Sequence, residues 1–320
     1  MIPIVDLRTA GAVSLFDQAM RNLGFVQLVG HGLNEDVATG FRELADRFFA
    51  LSTPQKQGFV HADPIANRGF NSKGSEALSY SLGEPSPPDL FESFNCGRDG
   101  RVGGSPLLQP TPWPDELVPG FAAAAHAYIG EMERISVSLD RMIGGLIGVD
   151  DLADRSDRGP DTLAAIDYRP GPDGAEPLIE GQQRMGAHSD YTTFTILLAD
   201  PVPGLQIVTA EGWVDVIPDP GALLVNVGDV LAIYTNDRWP STLHRVVPMN
   251  AGAAPTRRSA AYFHYPNLDV EVAPLPRFVS SDRPARYGAV TVADHLTGKL
   301  TSPKLQQNPT SADTSAGRTI

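Results

Sequence analysis

Two side chains able to bind a metal stand two residues apart in GAHSDYTTFTILLAD, residues 186–200: the imidazole of His188 and the carboxylate of Asp190. They lead into an apolar run through Phe194, Ile196 and Leu197. On an extended backbone faces alternate with period two, so the pair points one way and Ser189 the other. Aimed into an apolar interior the pair could hold a metal ion. At a surface it is an ordinary polar pair ahead of a strand. A second histidine, His244, sits in the strand-like LHRVVPM. Two histidines and a carboxylate on separate strands can occupy one face of an octahedral ion and leave three positions open, a donor set suited to non-haem Fe(II) and O₂. Zinc accepts the same donors, which keeps a hydrolase open as an alternative. Further on, Arg257 and Ser259 share a strand face, and a guanidinium beside a hydroxyl makes a cradle for a carboxylate.

The elements that must position these groups are legible as changes of period. IPIVDL (2–7) reads as a strand, 11–23 as a helix and GFVQLVGHG (24–32) as a strand. Asn34 is placed to cap a helix whose Val37, Phe41, Leu44 and Phe48 mark one buried face. Thr53-Pro54 reads as a cap followed by proline in the first turn. Residues 95–120, rich in Gly and Pro, read as loop. Tyr128, Met132, Ile135, Leu139, Met142 and Leu146 then trace a long amphipathic helix. Beyond residue 162 the pattern turns to alternation, with TFTILLAD, GLQIVTAEGWVDVI, GALLVNVGDVLAIYT, LHRVVPM and RRSAAYFHYP as successive strand candidates. This predicts a mainly β protein with flanking helices, its strands forming an antiparallel barrel or jelly roll. The organisation expected is an N-terminal helix-and-strand region with a substrate loop over 1–118, a long helix plus jelly-roll core over 119–300, and a polar, mobile tail over 301–320.

Composition narrows the partners. With 42% hydrophobic residues in 320 the chain can bury a large core, and a net charge of −13 argues against nucleic acid or an anionic membrane as partner. The single cysteine, Cys96, excludes an internal disulfide and fits a reducing compartment. No basic start, signal-peptide core or membrane-length apolar run is found, so a cytoplasmic protein acting on a small molecule is expected.

The order His188-x-Asp190, His244, Arg257-x-Ser259 resembles the 2-oxoglutarate/Fe(II) dioxygenase superfamily, and more narrowly its isopenicillin N synthase-like branch. IPIVDL, GFVQLVGHG and FFALSTPQK resemble the branch's N-terminal region, WPDELVPGF its middle, and GLQIVTAEGWVDVIPDPGALLVNVGD with TLHRVV its barrel core. The resemblance implies a double-stranded β-helix (jelly-roll) core wrapped by N-terminal and central helices, and Fe(II) held by His188, Asp190 and His244, with 2-oxoglutarate and O₂ as cosubstrates. Arg257 and Ser259 would hold the distal carboxylate of 2-oxoglutarate, which is converted to succinate and CO₂ as the substrate is oxidised, most simply by hydroxylation. The family's tyrosine directly before a proline is displaced here: AIDYRPGPDG puts Arg169 before Pro170 and Tyr168 one residue earlier. Neighbours on a strand face opposite sides, and Tyr168 is read as the inward one. An inward Arg169 would instead add a cation and suit an acidic substrate.

Phe263 shares the face of Arg257 and Ser259 and is a candidate for substrate contact, as are Phe70, Asn71, Tyr80 and Phe91 from the loop region 61–95. His264 is expected to face away from the pocket, outward, and Arg258, Arg245 and Asp229 to be structural. Two alternatives stand beside the oxygenase reading: an isopenicillin N synthase-like oxidase that takes four electrons from its substrate without 2-oxoglutarate, and a catalytically silent small-molecule receptor.

Overall fold

The computed structural model describes residues 2–83, 86–101, 105–169, 179–248 and 257–305. The chain opens with β1 (Ile4–Asp6), α1 (Ala12–Leu23) and β2 (Phe25–Val29), then α2 (Glu35–Phe49) and the short α3 (Thr53–Gln57). Asn34 caps α2 as expected, its side chain accepting from the Asp36 N–H at 3.0 Å. The cap of α3 lies one residue earlier than the sequence reading: Ser52 and Gln55 form a reciprocal capping box, and Thr53 is already helical.

Next come β3 (Gly69–Asn71), β4 (Glu92–Cys96), the long α4 (Phe121–Ile147), β5 (Thr162–Asp167), β6 (Met185–His188), β7 (Phe194–Ala199), β8 (Leu205–Thr209), β9 (Gly212–Val216) and β10 (Leu223–Val227). A helix follows where a strand was expected: Asp229–Tyr234 forms α5. Its residues Val230 to Tyr234 are all buried, and a short run buried on every side carries no period that separates helix from strand. The chain ends with β11 (His244–Val246), β12 (Arg258–His264), β13 (Glu271–Val272), β14 (Val290–Thr291) and α6 (Val292–Leu305). Helix α6 runs across residue 301, where the polar tail was expected to begin; residues 306–320 of that tail lie outside the described residues.

An eight-stranded sheet in the order β1-β2-β10-β7-β12-β5-β4-β3 faces a four-stranded sheet, β6-β11-β8-β9. This is the predicted jelly roll. Strands β1 to β4 from the first 118 residues hydrogen-bond into the same large sheet as the core strands, so both expected regions build one sheet. One face of that sheet packs on α1, α2 and α4 through Phe16, Phe41, Tyr128 and Ile135. The other meets the small sheet through Ile166, Leu224 and Ala261 against Met185, Ile207 and Val246. Two-sided burial explains why β7 and β10 are mostly apolar, the exceptions Thr195 and Asn226 both bonding to Asp190. No helix among the described residues is long and apolar enough to cross a membrane.

Candidate active site

Strand β11 pairs antiparallel with β6 in a register that sets His244 directly opposite His188. Their rings stand 4.3 Å apart between centroids. Each imidazole is oriented by its own backbone: His188 Nδ1 lies 2.8 Å from the Gly186 carbonyl and His244 Nδ1 3.2 Å from the Thr242 carbonyl. A carbonyl only accepts, so the protons sit on Nδ1 and both Nε2 lone pairs are free to bind a metal. Asp190 Oδ1 lies 3.8 Å from His188 Nε2 and 3.7 Å from His244 Nε2.

Asp190 is not on the strand with His188, since β6 ends at His188. The loop after it is fixed instead by N–H groups at the start of α5: Asp229 donates to the Asp190 carbonyl at 2.8 Å and Val230 to that of Thr192 at 3.0 Å. Gly228 is required for this contact, because a Cβ there would lie 2.1 Å from the Thr192 carbonyl oxygen. The second carboxylate oxygen of Asp190 accepts from Thr195 Oγ1 and from Asn226 Nδ2, each at 2.6 Å, which leaves Oδ1 to the histidines. Burial raises the Asp190 carboxyl, but His244, His188 and these two hydrogen bonds outweigh it and hold it below its ordinary value. Burial, and then His244, push His188 down to about 4. His188 is therefore a neutral imidazole beside the Asp190 carboxylate, the protonation states that bind a divalent ion.

The cavity beside the trio is lined with period two along each strand: Phe91, Ser93 and Asn95; Ala164, Ile166 and Tyr168; Arg257, Ser259, Ala261 and Phe263. Arg257 is 1% exposed, yet its Nε and Nη1 have no protein hydrogen-bond partner. Its guanidinium lies 4.6 Å from the Tyr168 ring centre. A buried cation with unused donors in a cavity is an incomplete ion pair, and a ligand carboxylate completes it. Tyr168 is the inward residue of its pair. Burial raises its phenol above the ordinary value against the lowering effect of Arg257 and Ser259, so it stays protonated. Arg169 turns away from the cavity to Asp167, 2.8 Å, and Asp46, 3.5 Å. The donor set and the Arg257 cradle thus fit a ferrous ion and a dicarboxylate.

Of the other candidates, Phe91 and Phe263 line the cavity. Phe70 does not: it is buried in the helix-side core, 5.8 Å from Phe48 between ring centres. Asn71 also misses the cavity and donates to Ser93 at 3.1 Å. The side chain of Tyr80 lies outside the described residues. Asn67, Glu76, Ser93, Asn95, Tyr191 and Tyr265 line it without having been singled out. Strand parity with Phe91 and with Arg257 could have found Ser93, Asn95 and Tyr265. The expected outward His264 is a correction: it faces away from the cavity but is buried, 2.9 Å from Asp140 of α4 and 3.3 Å from Asp161. Burial alone lowers it, and the two carboxylates outweigh that and push it up to about 10. Parity fixes the side of a strand and not what covers it; here α4 does. Arg258 pairs with Asp200 and Asp46, Arg245 stacks on Trp213, and the Asp229 side chain pairs with Lys299, while its backbone N–H holds the Asp190 carbonyl.

The fold and the trio define an iron-dependent oxygenase of the jelly-roll type. Comparison with known proteins agrees. Residues 160–266 match the 2OG-Fe(II) oxygenase superfamily model, and residues 2–116 match the N-terminal model of non-haem dioxygenases in morphine synthesis. Validamycin A dioxygenase of Streptomyces hygroscopicus subsp. limoneus is 30% identical over 294 residues, covering 86% of this chain and 79% of the relative. Flavanone 3-dioxygenase 2 of Oryza sativa subsp. japonica is 31% identical over 301 residues, covering 92% and 82%. The crystal structure of a full-length Neurospora crassa protein in complex with alpha-KG superposes with a TM-score of 0.80 at 27% identity, covering 94% of this chain and 96% of that one. The chain belongs to the 2-oxoglutarate/Fe(II) oxygenase superfamily, and its cofactor and cosubstrate are Fe(II) and 2-oxoglutarate.

Proposed function

We propose that this oxygenase binds Fe(II) through His188, Asp190 and His244, holds the distal carboxylate of 2-oxoglutarate with Arg257 and Ser259 beside Tyr168, and hydroxylates a small molecule. It is assigned to the isopenicillin N synthase-like branch and to the cytoplasm, with no nucleic acid or membrane partner. The observation that carries the cosubstrate assignment is Arg257, a buried guanidinium whose Nε and Nη1 lack partners in the cavity that contains the trio.

With both bound, the iron and 2-oxoglutarate supply O₂ activation, coupled to conversion of 2-oxoglutarate to succinate and CO₂. The chain's own residues position and protect. Asn226 and Thr195 keep Asp190 ionised and turned to the histidines. Gly186 and Thr242 carbonyls set both imidazole tautomers. Arg257 and Ser259 fix one end of the cosubstrate, and the apolar walls from Phe91, Leu205 and Phe263 exclude water and leave a bound substrate little freedom.

The test is an anaerobic titration of the Fe(II) protein with 2-oxoglutarate, following the visible charge-transfer band of a chelated 2-oxo acid. The band is expected in the wild type and absent in His188→Ala. Iron binding without the band would move Arg257 to a substrate carboxylate and favour the four-electron oxidase, as would turnover without succinate.

A further inference from the structure

Glu76 is a carboxylate in the cavity that the iron and cosubstrate chemistry leaves unused. It is half-buried, and no described cation pairs with it. Its segment is fixed to the metal-bearing strand. Gly74 N–H donates to the Asp89 carbonyl at 2.9 Å and Asp89 N–H to the Glu76 carbonyl at 2.8 Å. The Asp89 carboxylate then accepts from the N–H of Leu78 at 3.0 Å and of Gly186 at 2.9 Å, two residues before His188. Close docking depends on Gly186, where a Cβ would lie 2.6 Å from Ser79 Oγ.

Charge balance gives Glu76 its meaning. The two positive charges of Fe(II) and the one on Arg257 are matched by Asp190 and by the 2-oxoglutarate dianion. Arg184 sits beside Arg257 and Tyr168 but does not line the cavity. Among the described lining residues, the charge left over is that of Glu76. Asn95, on the wall of the same cavity, donates through Nδ2 to Asn67 Oδ1 at 2.8 Å, while its own Oδ1 is buried without a partner. A second acceptor therefore waits for a donor from the ligand. The aromatic walls, Phe25, Phe91 and Phe263, offer π-faces and a low dielectric in which one charge pair counts for more than in water.

Building on the oxygenase assignment above, we infer that the substrate is a small organic cation, an amine or guanidine on an apolar or ring body, with its N–H groups turned to Glu76 and Asn95. An anionic substrate would face Glu76 uncompensated.

The test uses Fe(II)-loaded protein saturated with 2-oxoglutarate without O₂, and matched probes: benzylamine, benzyl alcohol and benzoate, and butylguanidine against butylurea. Affinities are read by ligand-detected NMR. Each cation is expected to bind at least about tenfold tighter than its neutral partner, as one desolvated charge-assisted hydrogen bond provides. Glu76→Gln is expected to reduce that preference below about threefold while the 2-oxoglutarate Kd stays unchanged. Equal or better binding of the neutral or anionic probes overturns the inference. So does a preference that survives Glu76→Gln, or no cation binding at millimolar concentration to protein that has taken up 2-oxoglutarate. A wild type that takes up no 2-oxoglutarate fails at the earlier step, the cosubstrate assignment, before any probe is added.

Discussion

Replacing Arg257 by Met removes a buried charge and keeps most of the side-chain volume. In the protein without cosubstrate the guanidinium is 1% exposed, stacked on Tyr168, with Nε and Nη1 unpaired. An uncompensated buried charge destabilises the fold, so the variant without cosubstrate should melt no lower than the wild type. Binding should move the other way. Truncating one partner of a buried, hydrogen-bonded charge pair costs about 2–5 kcal/mol, roughly thirtyfold to several thousandfold in the 2-oxoglutarate Kd. Thermal stabilisation reads the same quantity: ligand at a hundred times the wild-type Kd stabilises by about 2.7 kcal/mol, and a few-hundredfold weaker Kd leaves roughly 0.2 kcal/mol of that. Pyruvate, a 2-oxo acid without the distal carboxylate, is the control and should bind both proteins alike. Arg257→Lys should fall between them, keeping the charge and losing the fork. A variant that binds 2-oxoglutarate within threefold of the wild type, or that loses pyruvate to the same extent, would show the reasoning wrong.

Further outcomes are expected elsewhere. Asn226→Leu removes one of the two donors on Asp190 Oδ2, and a chelator-competition titration should show Fe(II) affinity reduced by about 10- to 100-fold with the fold intact by circular dichroism. The folded pKa of His264 is raised to about 10 from an ordinary 6.5, so its contribution to stability is complete below about pH 6.5 and is lost as pH rises towards 10. Denaturant titrations from pH 6 to 10 should show that decline, and a His264→Gln, Asp140→Asn double variant should flatten it. Gly186→Ala should drive the Leu78–Leu82 turn off β6, costing about 1–3 kcal/mol of stability and raising the substrate KM; an unchanged KM would separate that turn from the site. Burial pushes the Cys96 thiol up to about 12, so mass spectrometry of native protein treated with iodoacetamide should find it unmodified until denaturant is added.

How much of this was legible in the residues follows from the range of the forces involved. Local signals worked. Asn34 capped its helix, the four-three-four spacing from Val37 to Phe48 gave a buried face, and alternation placed Arg257, Ser259 and Phe263 on one wall. Side-chain period is a property of the backbone alone, and a one-residue slip would reverse every side. The donor types at His188, Asp190 and His244 likewise carried their chemistry in the sequence, because few side chains can bind iron. Other features were decided by contacts between distant segments. The β6–β11 register set the two imidazoles opposite each other, and α5 captured a loop at Asp190 that the sequence had read as strand. Phe70 went to the helix-side core and Asn71 to Ser93, while Asn95 and Glu76 came to the cavity, one by strand parity and the other through Asp89. His264 was read correctly as pointing away from the site and wrongly as reaching water, because α4 brings Asp140 over that face. Sequence determines which side of its own element a residue occupies; only the packed fold determines what stands on that side, since burial and charge pairing depend on neighbours far away in the chain.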